Sequence, residues 1–159
     1  MKPRKKRNVL FAPGASYFKP RGIPMVYLDI VSLAIDEYEA IRLADLEGLK
    51  HDEAAKQMNI SRPTFTRLLE SAHKKISDAI VNGKAINISG GDYLILGKRL
   101  RCRKCGFFWN ADENHERRLE NIKCTQCEST DIEDIAEKLN TENLDRPCRH
   151  RHGQEWGKK

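Results

Sequence analysis

The chain has 159 residues, room for one ordinary domain or two small ones, since domains most often run to about 100–150 residues. It carries 29 Lys and Arg against 23 Asp and Glu, a net charge of +6, and 39% of its residues are hydrophobic and 33% charged. No apolar run approaches the roughly 20 residues of a spanning helix, and the basic opening Lys2-Pro-Arg-Lys-Lys-Arg7 leads into Phe11-Ala-Pro-Gly-Ala15 rather than an apolar signal core. Neither a membrane protein nor a secreted one is expected, and the cytoplasm is. Five cysteines, an odd number in a reducing compartment, argue against a disulfide frame.

The charge is unevenly placed. Residues 1–28 hold seven bases and no acid, residues 29–61 three bases and eight acids, and residues 62–99 seven bases and three acids. A basic segment, an acidic scaffold and a basic helix in that order describe a surface suited to a polyanion. Residues 1–31 lack helical periodicity and include Pro3, Pro13, Pro20 and Pro24, so an extended basic arm is expected over 1–34. Asp36 with Glu39 reads as a capping box for a helix from Glu37 to Leu46, ended by Gly48. Glu53 to Met58 reads as a second, short helix. Ser61 caps a third, with Pro63 in its first turn, which runs to about Val81 and stops at Asn82-Gly83. Two short apolar runs flank Gly90-Gly91, a hairpin signal.

The segment from His51 to Glu70 has the pattern of a DNA-binding helix-turn-helix. Ala54 and Ala55 allow close helix contact, Met58, Ile60, Phe65 and Leu68 form a small core, and Asn59 suits the left-handed turn. At 100° per residue, Phe65, Leu68, Leu69, Ala72, Ile76, Ala79 and Ile80 share one side of the third helix. Pro63, Thr66, Arg67, Glu70, Ser71 and Lys74 lie opposite. That outer face has the hydroxyls and cations of a recognition helix. Arg67 can pair with guanine, Thr64, Thr66 and Ser71 can reach phosphate, the threonines can also touch a thymine methyl, and Lys74 and Lys75 can neutralise phosphates. Arg62, Lys19 and Arg21 complete the expected DNA-contacting set. An amphipathic helix pair with a merely solvated outer face is the competing explanation.

The stretches Tyr17-Phe-Lys-Pro-Arg-Gly-Ile-Pro24, Asp36-Glu-Tyr-Glu-Ala-Ile-Arg-Leu-Ala-Asp-Leu-Glu-Gly-Leu49, Glu53-Ala-Ala55, Ser61-Arg-Pro-Thr-Phe65, Asn82-Gly-Lys84 and Gly90-Gly91 carry a resemblance. Through them, residues 3–91 resemble the uncharacterised protein family 0251, also called domain of unknown function 134. The family is similar to the promoter-reading region of bacterial sigma factors, so the resemblance implies a transcription-type DNA-binding fold. It departs from the family pattern at His73, where an arginine is usual, which makes a phosphate contact there weaker and pH-dependent.

Cys102-Arg-Lys-Cys105 and Cys124-Thr-Gln-Cys127 are two C-x-x-C pairs separated by eighteen residues, within the spacing of a four-cysteine zinc site. Each pair brings two thiolates to one ion, and two pairs complete a tetrahedron. A segment this short cannot bury enough apolar area to fold unaided, so the ion would hold it together. Iron in a rubredoxin-like site uses the same spacing, and ligand type does not separate it from zinc. Four cysteines close the coordination and leave no open catalytic position. The histidines His51, His73 and His115 have no evident partner and read as surface residues. Cys148, His150 and His152 form a further set of possible ligands in the polar tail. No enzymatic activity is expected.

The resulting expectation is a mainly α protein. It would have an extended basic arm (1–34), a helix-turn-helix domain (35–91), a β hairpin with a zinc ribbon (92–135) and a disordered polar tail (136–159). Its expected partner is double-stranded DNA and its expected role transcriptional regulation. Rival readings are a metal- or redox-sensing module docking on RNA polymerase or another partner, and a rubredoxin-like iron carrier. Many helix-turn-helix proteins bind as homodimers, but no dimerising stripe is evident in this sequence.

Overall fold

The computed structural model describes residues 5–111 and 122–144. The chain opens with short strands: β1 (Arg7–Val9), β2 (Tyr17–Phe18), a single 3-10 turn (Met25–Tyr27), β3 (Ile30–Leu33) and then α1 (Ile35–Ile41). There follow α2 (His51–Gln57), α3 (Arg62–Val81), β4 (Ala85–Ile88), β5 (Tyr93–Ile95), β6 (Arg99–Cys102), β7 (Phe108–Asn110), β8 (Ile132–Asp134) and α4 (Ile135–Leu144). The described residues form three sheets, ordered β1-β5, β2-β4-β3 and β7-β6-β8. The protein is therefore mixed α/β, and the expectation of a mainly α fold is overturned. Most of these strands are only two to four residues long and hide among prolines and charges. Such segments carry too few residues to show a period of two.

Residues 1–34 do not form a free arm, at least from residue 5 onward. Strand β1 pairs in parallel with β5, Arg7 opposite Tyr93 and Val9 opposite Ile95, and Val9 and Ala12 are fully buried. The expected hairpin around Gly90-Gly91 does not form either. Strand β4 runs antiparallel to β2 and parallel to β3, while β5 turns away to β1. Gly91 sits where a Cβ would come 2.7 Å from Asp36 Oδ1, and the Gly90 carbonyl accepts from the Ile35 amide at 3.0 Å. The glycine pair thus lets the chain pass the N-terminus of α1 between two sheets.

The helices follow the sequence more closely. Helix α1 starts two residues earlier than expected, because Glu37 Oε2, not an aspartate cap, accepts from the Ala34 amide at 2.8 Å. Past Ile41 it widens into an i→i+5 turn over Arg42–Leu46, closed by Glu47 N to Arg42 O at 3.0 Å. Ser61 caps α3 by accepting from the Thr64 amide at 3.4 Å, and Asn59 (φ 54°) and Gly83 (φ 64°) take the left-handed conformation that ends a helix. Helix α3 bridges two clusters. Phe65, Leu68 and Leu69 pack with Ala40, Leu43, Ala54, Ala55 and Met58. Ala72 packs with Val9, Leu33, Ile35, Ile88 and Ala136. Ile80, expected on the core side, is exposed.

Residues 136–144, expected as part of a disordered tail, belong to helix α4. Ala136 joins the second cluster, the Tyr93 hydroxyl donates to the Leu139 carbonyl at 3.1 Å, and the Asn140 side chain bonds both backbone groups of Ile95 at 2.9 Å. Residues 145–159, with Cys148, His150 and His152, lie outside the described residues, as does His115. Among the described residues no helix is long and apolar enough to cross a membrane.

Buried ion pairs fasten the N-terminal strand and α1. Arg7 bonds Asp36, and Arg42 Nε and Nη2 donate to the two Glu39 oxygens at 2.8 Å, while Glu39 Oε1 also accepts from the Leu10 amide at 2.8 Å. Burial pushes the Asp36 carboxyl above its usual range, with the Arg7 charge pulling it back. A folded-state pKa raised above the unfolded one means that ionised Asp36 detracts from stability above about pH 4 and that protonation relieves it. Arg7→Ala is therefore expected to cost about 2 kcal/mol at pH 7, discounted for the partly exposed arginine. The deficit should shrink as the pH falls toward 4. Urea melts of both proteins at the two pH values check this.

Candidate metal centre and nucleic-acid interface

Strand β6 ends at Cys102, and the next three residues turn so that the Gly106 amide (φ 76°) donates to the Cys102 carbonyl at 2.9 Å. The second pair repeats this loop: the Glu128 amide donates to the Cys124 carbonyl at 2.9 Å, with Glu128 at φ 55°. Glutamate there takes the left-handed conformation that glycine takes in the first loop. The loops face each other. Cys102 Sγ lies 3.5 Å from Cys127 Sγ, and Cys105 Sγ lies 3.6 Å from Cys124 Sγ. All four sulfurs fall within 4.8 Å of one another.

A tetrahedron with metal–sulfur bonds of about 2.3 Å has edges of about 3.8 Å, whereas a disulfide would need about 2.05 Å. The spacing is thus that of an ion-sized hole bounded by sulfurs, and these four cysteines could hold a metal ion. Cys102 and Cys124 are buried, Cys127 is half-buried and Cys105 is exposed. A donated bond from the Cys105 amide pulls the Cys102 thiol down to about 6, against the pull of burial. At Cys127 the Ser129 amide lowers the thiol, but burial and the three neighbouring cysteines push it up to about 12. The group gives up a first proton readily and holds the last, because thiolate charges packed this closely repel until a cation neutralises them.

The expected DNA-contacting residues separate into three places. Arg62, Thr66 and Arg67 stand together with Pro63 and Glu70 along a shallow groove on the outer face of α3. Arg67 and Lys74 are exposed, and Arg62 makes only a loose pair with Asp52 at 3.6 Å. Thr66 is tied to His51 Nδ1 at 3.0 Å, and Thr64 to the Ser61 hydroxyl at 2.7 Å. Ser71 and Lys75 turn inward: the Ser71 hydroxyl donates to Glu37 Oε1 at 2.7 Å and Lys75 Nζ to Glu37 Oε2 at 2.6 Å. At 240° and 280° from Phe65 on the helix wheel they flank α1, Ser71 still exposed and Lys75 half-buried. Lys19, whose Nζ donates to the Ile23 carbonyl at 2.7 Å, and Arg21 follow β2. That strand pairs with β4, whose first residue follows closely on the C-terminal end of α3, the end away from Arg62.

Residues 1–96, well over half the chain, match the family described as "Protein of unknown function DUF134". The chain belongs to that family. It is 43% identical over 148 residues to a UPF0251 protein of Moorella thermoacetica, covering 93% of this chain and 91% of the relative. It is 49% identical over 130 residues to a UPF0251 protein of Methanocella arvoryzae, covering 80% and 76%, and 44% identical over 130 residues to one of Pelotomaculum thermopropionicum, covering 82% and 95%. No solved structure matches. The four cysteines of this DUF134 chain lie beyond the segment that defines the family match.

Two cations beside α3 escaped the sequence reading. Lys5 Nζ donates to Asn59 Oδ1 at 3.1 Å, and the Asn8 amide donates to the Met58 carbonyl at 3.0 Å. The N-terminal strand is thereby fastened to the turn between α2 and α3. Lys5, Lys56, Asn59, Ser61 and Thr64 then line a second groove beside the start of α3. The run of bases in residues 2–7 was the available signal, but its position depends on the β1–β5 pairing. Lys2 and Arg4 lie outside the described residues. The two histidines read as free surface residues have partners. His51 meets the Phe65 ring edge-on at 5.3 Å, and His73 Nε2 lies 2.7 Å from Asp45 Oδ2.

Proposed function

We propose that this DUF134 protein binds double-stranded DNA through α3 and regulates transcription from the cytoplasm, and that its four cysteines hold a structural zinc ion. The observation that carries the reading is the junction of α2 and α3. Two helices joined through a left-handed Asn59 (φ 54°) pack through Ala54 and Ala55 and leave Arg62, Thr66, Arg67 and Lys74 on the outer side. This is the arrangement that lets a second helix enter a major groove, and it agrees with the resemblance to the promoter-reading part of sigma factors. Lys5 and Lys56, on the other side of the same helix start, are placed to meet phosphates flanking that groove.

The zinc ion would be held by Cys102, Cys105, Cys124 and Cys127 in a ribbon-like sheet. With four protein ligands it would serve structure rather than catalysis, so no enzymatic role is proposed. The test is selection of bound duplexes from a random pool, followed by fluorescence anisotropy at several salt concentrations. Nanomolar, strongly salt-dependent binding to a selected sequence is the expected result. Equal affinity for every duplex, or none, overturns it. Purified protein containing zinc should be colourless, whereas the same four sulfurs around iron would give a red protein.

A further inference from the structure

We infer that the end of the molecule where α3 stops is a homodimer interface, built from an open strand edge and an uncovered apolar patch. In the β2-β4-β3 sheet, β3 has no neighbour on its other side among the described residues. The Asp29 and Leu33 carbonyls accept from the Ala85 and Ser89 amides at 2.9 and 3.0 Å. Residues at odd positions therefore turn toward β4, and the backbone groups of Ile30 and Ser32, both exposed, turn outward. Sheet edges that stay single are ordinarily guarded by lysine, proline or a bulge. The strand Ile30-Val-Ser-Leu33 has none of these and is rich in β-formers.

The surroundings of that edge are apolar. Val26 is 82% exposed, Tyr27 78%, Ile80 73% and Val81 80%, with Ile30 and Tyr17 about half exposed. Ile80 and Val81 are in the last turn of α3. Val26 and Tyr27 are in the turn leading into β3, and the Lys84 amide donates to the Ala79 carbonyl at 2.8 Å, so these four and Ile30 lie toward the end of the sheet marked by the Asp29–Ala85 bond, while Tyr17, on β2, stands across β4 from the open edge. The five at that end expose about 500 Å² of apolar side chain, against the roughly 800 Å² that each partner gives to a standard interface. A patch of this size is at the upper end of what single chains expose, where it often serves a function.

A second copy of this chain satisfies both features at once. Pairing of β3 with its own copy is antiparallel about a two-fold axis, so every outward amide and carbonyl finds its equivalent, and the two patches meet across the same axis. The contact leaves Arg62 and Arg67, at the far end of α3, uncovered in both chains.

Sedimentation velocity on the metal-loaded full chain, without DNA, tests this independently of the DNA-binding reading. Wild type should sediment at twice the 18.3 kDa chain mass and dissociate reversibly on dilution. Ile80→Lys, a change on an exposed helix position, should weaken dimerisation at least tenfold. Ser32→Pro, which deletes an outward amide but no bond to β4, should do the same. Both variants should keep the wild-type far-UV circular dichroism and metal content. A wild type that stays monomeric at 100 μM overturns the inference, as does a dimer indifferent to both substitutions.

Discussion

Replacing Cys124 by serine is expected to abolish stoichiometric metal binding and to lower the melting temperature by about 10 °C or more. Cys124 is buried to within 1% of full cover, its amide donates to the Ser129 carbonyl at 2.9 Å, and its sulfur accepts from the Gln126 amide at 3.4 Å. A serine oxygen is a harder and shorter ligand than a thiolate and leaves three sulfurs around the hole. Zinc-finger peptides gain about 10–16 kcal/mol of apparent binding energy from such an ion. The loss should spread beyond the cysteine loops, because β8 passes without a break into α4, and Ala136 packs in the same cluster as Val9 and Ile95. A loss of only about 3 kcal/mol is worth roughly 10 °C at this chain length.

Elemental analysis of the variant and scanning calorimetry, each against Thr125→Ser as a control, make the measurement. A variant that retains one equivalent of metal and the wild-type melt contradicts the ligand assignment. Acid should reproduce part of the effect in the wild type. Ligands must be deprotonated to bind, and Cys102 is free of its proton only above about 6. Metal retention at a fixed chelator concentration should accordingly fall as the pH is lowered, and fall more steeply below about 6, where Cys102 takes up a proton as well.

Local chemistry made some features legible and topology hid the rest. Ser61, Asn59 and Asn82-Gly83 punctuate α2 and α3 through backbone preferences that act within a few residues, so those boundaries could be read directly. The cysteine cluster was legible because its ligands come in C-x-x-C pairs whose geometry is largely local. Strand β1, by contrast, owes its existence to β5, 86 positions onward in the pairing of Arg7 with Tyr93, and nothing in Arg7-Asn-Val9 announces that partner. That pairing places Lys5 beside Asn59, and the equally distant pairing of β2 with β4 carries Lys19 and Arg21 elsewhere. Helix periodicity put Ser71 on the outer face of α3, and Lys75 was expected to neutralise phosphate. Only the position of α1, with Glu37 buried beside them, turns both side chains toward that carboxylate.

That last distinction gives lysines one residue apart opposite expected behaviour. Lys74→Ala should lower the slope of log affinity against log salt by about one unit, the signature of one lost phosphate contact, and leave the melt unchanged. Lys75→Ala should leave that slope alone and destabilise the fold by about 2 kcal/mol, because Glu37 loses the cation opposite its buried carboxylate. The figure is discounted for the partial exposure of the lysine. Arg67→Ala, with its side chain free on the outer groove, should cost about tenfold to a hundredfold in affinity for the selected sequence and much less for a random duplex. Anisotropy titrations at three salt concentrations, paired with urea melts of each variant, separate the outcomes. If Lys75→Ala flattens the salt dependence as much as Lys74→Ala does, then the Glu37 bond opens when DNA binds and α1 belongs to the interface. If neither lysine nor Arg67 alters binding, α3 is not the reading helix.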